Sequence, residues 1–435
     1  MSTESELLNQ ETFNLNKDIT AKITHKKIAL HLRTSFGTSH SSTTIRYNSF
    51  IQIIIFDQNL KNKQIYGIGE SGLPPKKPGC YLANCEDIKS YLSEYFTYLK
   101  NLLSLNDLKA KINTFYQNTF DNLLKPNVKL PDYIYILFYA MDTCPANKND
   151  YSKAAQNCLE GAILDLIGKL ANLPVYELLN ITIKEKKSTF YTVGIPNDDE
   201  MIQSLNLGLK YTHHIKIKLN HDIEKSKHIL NLLDTNCKKY ENDKKIKCIW
   251  SIDLNSDFSD PELCLKLIKE VLLGYKERIY MIEQPFPMNF NDIKEKINDW
   301  ENIKILSEKN NLLIYADESI STVDTIEKYK NIISGINIKL EKCGGIRNAL
   351  KCVKKANELN LKIWIGCMVG SSLLMNMAAT LTPLSTFSDL DGGLLITEES
   401  QPGKGGFVWN EKEGVIDLSK NVGFGVVLKN ENNEL

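Results

Sequence analysis

The chain has 435 residues, enough for two domains or for one large barrel with an attached layer, because a single core seldom grows past ~250 to 300 residues. With 42% hydrophobic and 24% charged residues it has an ordinary globular make-up, neither disordered nor collagenous nor membrane-spanning. Lysine plus arginine equals aspartate plus glutamate at 53 each, and this neutrality argues against a nucleic-acid or membrane-surface partner.

Residues 1–20 are polar and lack the basic start and apolar run of a secretory signal, so a loose tail on a cytoplasmic protein is expected. The longest apolar stretches, 50–56 and 133–141, fall far short of the ~20 residues of a membrane span. Residues 50–56 and 64–70 read as strands of a small antiparallel sheet, followed by helical patterns over 86–103 and 152–170. In the second helix Cys158, Ala162, Leu166 and Leu170 recur every four residues, and Pro174 marks its end. The stretch 126–151 carries three prolines and a polar finish, which reads as an insertion or loop. Ten cysteines run from Cys80 to Cys367 without a Cys-x-x-Cys pair, so reduced and mostly buried thiols are expected.

From about residue 188 short apolar stretches alternate with helix-length amphipathic ones: 189–194, 214–219, 248–254, 279–283, 312–316, 335–340, 362–367 and 386–390. Eight strands in this βα rhythm close into a barrel. A doubly wound open sheet would carry a glycine-rich phosphate turn in its first unit, and the sequence has none there.

Barrel strands are buried on both faces, so charges at their C-terminal ends call for an explanation in chemistry. In Ile215-Lys-Ile-Lys-Leu219 the residues Lys216 and Lys218 share one face, either pointing into the barrel mouth or lying solvated on a half-exposed edge. The next three strands end in Asp253, Glu283 and Asp317. Three acids in succession, with no histidine or cysteine near, suit a hard cation such as Mg²⁺, although Asp253 or Asp317 taken singly could be a helix cap. The sixth strand supplies Lys339 from the far side of the barrel, the arrangement a two-base proton transfer needs. Asp389 and Asp391 end the eighth strand on one face, where they could receive a cationic group or face solvent in a loop.

With these residues the sequence resembles the enolase superfamily, specifically its muconate-lactonizing subgroup, which contains the dipeptide epimerases. The resemblance rests on Ala155-x4-Glu160-x-Ala162-x2-Asp165, Tyr191-Thr-Val193, Lys216-Ile-Lys218, Asp253-Leu-Asn255, Glu283-Gln-Pro285, Asp317-Glu-Ser319, Asn337-Ile-Lys-Leu-x-Lys-x-Gly-Gly345 and Cys367-Met-Val-Gly-Ser371, in the family's order. It implies an α/β fold: a modified TIM (β/α)8 barrel over 186–392 under an α+β capping domain over 21–185, to which 393–435 contribute. It further implies Asp253, Glu283 and Asp317 as magnesium ligands and Lys218 and Lys339 as the acid/base pair. Lys216 and Thr192 would lie at the substrate, and Asp389-x-Asp391 would hold its α-ammonium.

The implied activity is epimerisation of dipeptides at the C-terminal residue. Other enzymes of the subgroup (N-acylamino-acid racemase, o-succinylbenzoate synthase, cycloisomerase) and a non-catalytic binding barrel are the alternatives. The arginine that grips the glutamate side chain in Ala-Glu epimerases falls, counting from Phe36, at Ser41, which leaves hydrophobic, polar or cationic second residues open. Relatives often assemble, so a homo-oligomer is a further expectation.

Overall fold

An antiparallel sheet opens the chain, with β1 (Ser5–Asn14), β2 (Ile19–Thr38), β3 (Ser41–Asp57) and β4 (Gln64–Ser71) side by side in that order. The computed structural model describes residues 4–38, 41–60, 62–77, 81–116, 123–126, 128–195, 197–288 and 294–429, with the side chains of 34–38, 41–42 and 294–296 also outside the description. Ile51, Ile53 and Ile55 alternate along β3 opposite His25, Ile23 and Ala21 of β2, which gives the sheet an apolar face. Four helices follow, α1 (Cys85–Leu103), α2 (Leu108–Tyr116), α3 (Asp132–Thr143) and α4 (Ser152–Ala171). A capping box starts α1: the Asp87 amide donates to Asn84 Oδ1 and the Asn84 amide donates back to Asp87 Oδ2. Helix α4 is buried along almost its whole length against β4. A Cβ at Gly67 would fall 2.0 Å from the Ala162 carbonyl oxygen, so strand and helix meet backbone to backbone.

The structure differs from the sequence expectation in two places. Residues 5–14 are not a loose tail but strand β1, paired with β2 from Ser5↔Ile28 to Asn14↔Thr20. Its polar side chains face solvent on a sheet edge, so the ladder rather than burial holds it, and only Phe13 reaches the core, edge-on to Phe96 at 5.5 Å. Nor is 126–151 mainly loop, because it contains α3. Pro131 is the helix's N-cap residue and Pro145 lies beyond its end, so the prolines bracket the helix instead of breaking it.

After the short α5 (Val175–Leu178) and β5 (Lys187–Ser188), the second half runs β6 (Tyr191–Val193), α6 (Asp198–Gly208), β7 (His214–Lys218), α7 (Ile223–Lys244), β8 (Ile249–Asp253), α8 (Pro261–Glu270) and β9 (Ile279–Glu283). It continues through α9 (Lys294–Glu308), β10 (Leu313–Ala316), α10 (Val323–Tyr329), β11 (Gly335–Ile338), α11 (Leu340–Cys343), α12 (Ile346–Glu358), β12 (Lys362–Ile365), α13 (Ser372–Ala379) and β13 (Phe387–Ser388). Strands β6 to β13 pair in chain order, all in parallel. A parallel bridge between Thr189 and Ser388 joins the first and last, so the eight-stranded barrel closes. All eight strand positions read from the sequence hold a strand.

The chain then returns to the first layer. β14 (Gly403–Gly405), β15 (Val408–Asn410), β16 (Val415–Asp417) and β17 (Val426–Leu428) follow the barrel, β16 pairs with β5, and the Phe424 amide donates to Asp165 of α4 at 2.9 Å. The nine described cysteines are free, eight of them buried. No helix among the described residues is long and apolar enough to cross a membrane.

Phe13→Ala should therefore destabilise the protein by about 3 kcal/mol in urea denaturation. A detached tail would leave the unfolding midpoint unmoved.

Candidate active site

The C-terminal ends of the barrel strands open toward the antiparallel layer, and a cavity of about 450 Å³ lies between them. Its floor and walls include Thr192, Lys216, Lys218, Asp253, Lys339, Asp389 and Asp391, while Arg46 and the 73–77 segment come from the first layer. Lys77 ties the two together, donating to the Asn255 carbonyl at 3.0 Å with Glu318 at 3.9 Å. Ser41 opens β3, and its side chain lies outside the described residues.

Strand alternation drives Lys216 and Lys218 of β7 to the same face. Both are buried, and Lys218 pairs in register with Asp253 of β8, which pairs with Glu283 of β9. Lys216 Nζ lies 2.6 Å from Glu283 Oε2, 2.8 Å from Asp389 Oδ2 and 3.4 Å from Asp253 Oδ2. Lys218 Nζ donates to Asp253 Oδ2 at 3.1 Å and to Asn255 Oδ1 at 2.5 Å. Across the ring, Lys339 donates to Asp317 Oδ2 at 2.7 Å, and Lys342, one helical turn on, holds the other oxygen of the same carboxylate. A Cβ at Gly366 would lie 2.3 Å from Asn337 Oδ1 and 2.9 Å from Lys339 Cε, so glycine leaves room for both side chains.

Backbone turns at the strand ends brace the acids. Gln284 takes φ 41°, rare outside glycine, immediately after Glu283. Its side-chain oxygen accepts the Asp317 amide at 2.9 Å, and its nitrogen donates to Ser319 Oγ at 2.7 Å. Glu283 Oε1 accepts from Asn337 Nδ2 at 2.6 Å, and Asp389 Oδ1 from Trp364 Nε1 at 2.8 Å. Asp391 Oδ2 accepts the Thr192 amide at 2.5 Å.

Burial pushes each of these carboxyls upward, and the lysines decide which of them escape. For Asp253, Lys218 and Lys216 outweigh burial and hold the group at about 2. Lys339, Lys342 and Lys216 take Asp317 well below the usual carboxylate range against the same burial. Glu283 goes the other way, to about 8, because burial and the charges of Asp253, Asp317 and Asp389 exceed what Lys216 returns. Asp391 rises to about 6 through burial and Asp389. Burial works against the charge on Lys216 and Lys339, yet the surrounding acids keep both raised.

The donor set fits a hard divalent cation: Asp253, Glu283 and Asp317 offer carboxylate oxygens at three successive strand ends. Glu283 Oε2 points the same way, since it lies in ion contact with Lys216 but receives no hydrogen bond of good geometry. Among the described residues no three carboxylate, histidine or cysteine side chains close up as a ready ligand cluster. The ammonium groups of Lys216, Lys218, Lys339 and Lys342 lie against the oxygens of these acids. Lys342, Asn255, Trp364 and Arg46 are site residues that the sequence alone does not single out. Lys342 stands three residues from Lys339 in the same stretch of sequence, whereas Arg46 reaches the cavity through the pairing of β2 with β3.

The closed barrel and the acids and lysines on its strand ends define one class of protein, and comparison agrees. Residues 212–432 match the enolase C-terminal domain-like family, and an enolase superfamily member of Dictyostelium discoideum is 37% identical over 96% of this chain and 98% of its own length. The chain belongs to the enolase superfamily. The L-Ala-D/L-Glu epimerase of Bacteroides thetaiotaomicron is 29% identical to it, over 81% of this chain and 76% of that protein. The fold also matches the dipeptide epimerase of Enterococcus faecalis V583, solved with Mg and L-Leu-L-Tyr, with a TM-score of 0.66 at 21% identity, covering 94% of this chain and 99% of that one.

Glu283 gives a pH prediction with a fixed sign. Its folded pKa of about 8 lies above the ordinary ~4.3, so the unfolded chain releases this proton first and the group costs stability as pH rises through that window. In protein stripped of divalent ions, Glu283→Gln should gain thermal stability relative to the parent, increasingly from pH 5 to pH 8. A gain that is flat with pH would refute the assignment.

Proposed function

We propose that this superfamily isomerase is a magnesium-dependent epimerase of dipeptides, inverting the α-carbon of the C-terminal residue by two-base proton transfer through an enolate. The observation that carries the proposal is the placement of Lys218 on β7 and Lys339 on β11, four staves apart in a ring of eight, both lining one cavity. A carbon seated between them presents one face to each nitrogen. The comparisons support the reading, since several relatives and fold neighbours are dipeptide epimerases.

Asp253, Glu283 and Asp317 would hold the magnesium, which when bound supplies positive charge beside the substrate carboxylate. The chain's own residues do the rest. Lys218, steadied by Asp253 and Asn255, takes the α-proton from one face in one direction of reaction. Lys339, kept protonated by Asp317, returns a proton to the opposite face, and the reverse reaction exchanges the two roles. Lys216, deep among Glu283, Asp253 and Asp389, adds a second fixed positive charge where the enolate develops. Asp391, held by the Thr192 amide, and Asp389 receive the α-ammonium of the first residue. An arriving ammonium favours the ionised form of Asp391, whose pKa of about 6 lies close to neutrality.

In heavy water with Mg²⁺, the protein should incorporate deuterium at the α-carbon of the C-terminal residue of its dipeptide substrates. Lys218→Ala and Lys339→Ala should each slow epimerisation by about 10²- to 10⁴-fold. Each variant should still exchange the α-proton of the one epimer whose hydrogen faces the remaining lysine. A broad dipeptide library with no exchange, or single variants that still epimerise at the parental rate, would sink the proposal.

A further inference from the structure

Inside the barrel, Phe190, Met281, Tyr315 and Trp364 make a small apolar core of their own. The Trp364 ring of β12 lies 4.6 Å from that of Phe190, 5.9 Å from Phe387 and 6.2 Å from Tyr315, so it reaches across the barrel interior, fully buried. The next inward position along β12 is Gly366, so this stave puts no side chain between the indole and the acids above it.

A carboxylate at the boundary between such an apolar floor and a charged layer has an oxygen turned toward rings instead of water, and that oxygen needs a donor. Asp389 stands at this boundary. Its Oδ2 accepts from Lys216 Nζ at 2.8 Å, and its Oδ1 accepts from Trp364 Nε1 at 2.8 Å. An indole joins an apolar body to a single donor, and it neither takes up a proton nor lends a positive charge. The Thr192 amide holds Asp391 in the same neutral way. Asp253 and Asp317, by contrast, each touch two lysines. Lys216, the cation in contact with Asp389, is shared with Glu283 and Asp253. The pair of Asp389 and Asp391 is thus fixed in direction by neutral donors and keeps negative charge for an incoming cation.

We propose that Trp364 is a positioning residue for the amino end of the substrate: its indole N–H aims Asp389 so that, with Asp391, it meets an ammonium group. The assignment rests on the epimerase reading above for the molecule that carries this ammonium. Since the carboxylate is aimed before the ligand arrives, binding does not have to order it. Without the N–H, Oδ1 is left unpaired against the rings, and the remaining pull on Asp389 is that of Lys216, on the side of Glu283 and Asp253.

The test is a double-mutant cycle of Trp364→Phe and Asp389→Ala with Mg²⁺ present, run on whichever library dipeptide exchanges fastest in the parent. Phenylalanine keeps a ring beside Phe190 and Tyr315 and removes only the donor side of the indole. Trp364→Phe should raise KM about 10-fold and lower kcat by far less. In the Asp389→Ala background the same substitution should change KM by less than about twofold, because the carboxylate it acts through is already gone. An equal rise in both backgrounds marks a packing role alone and overturns the assignment, as does an unchanged KM in Trp364→Phe. If no dipeptide exchanges, the epimerase reading falls, and calorimetric binding of alanyl-alanine to the same proteins decides the Trp364 assignment by the same comparison. No binding by the parent overturns it. Should the variants not fold, the indole N–H signals in the NMR spectrum of the parent carry the test. One signal of the four tryptophans should shift as the dipeptide saturates the site, and four unmoved signals overturn the assignment.

Discussion

The barrel mouth is organised by one constraint, that charge buried away from water must be matched. Asp253, Glu283, Asp317 and Asp389 stand almost fully buried, and Lys216, Lys218, Lys339 and Lys342 are interleaved with them. No member of the set is tolerable alone, because an uncompensated ion in such a place costs several kcal/mol. The matching is also uneven. Asp317 is gripped by two lysines whereas Glu283 shares one lysine with two other acids, and the opposite pKa shifts of the two follow from that difference. A group left short of positive charge is where a divalent cation brings most to the site.

Much of this was legible in the chain. A lysine or aspartate at the end of an apolar strand is conspicuous because barrel staves are otherwise nearly all aliphatic, so Lys216, Lys218, Asp253, Glu283, Asp317 and Lys339 stood out by contrast with their neighbours. The strand rhythm was equally plain, since each stave must be buried on both faces and each intervening helix on one. What could not be read was set by pairing across long sequence distances. Nothing in the composition of residues 5–14 marks a strand, because an edge strand with a wet outer face is held by backbone hydrogen bonds that any sequence can make. The α3 region misled for a related reason, as three prolines signal interruption without saying on which side of a helix they fall. Arg46 escaped notice because its place over the cavity depends on the register of a hairpin lying on a different layer.

Both layers line the cavity. The barrel supplies the groups proposed to move protons and hold the cation, and these come from strand ends fixed by the sheet's ladder. The antiparallel layer supplies Arg46 and the 73–77 segment, which line the same cavity from above.

Glu70 joins these layers and carries a consequence for the integrity of the molecule. Its buried carboxylate, at the end of β4, accepts from the Ser371 amide at 3.0 Å, the Leu374 amide at 3.1 Å and Asn48 at 2.8 Å, so the anion that caps helix α13 of the barrel belongs to the other layer. Excising the barrel would strip this helix of its counter-charge and lay bare the apolar surface around Met368 and Leu374. The catalytic half is thus no autonomous module to be grafted elsewhere: it inherits part of its folding from the sheet that roofs it.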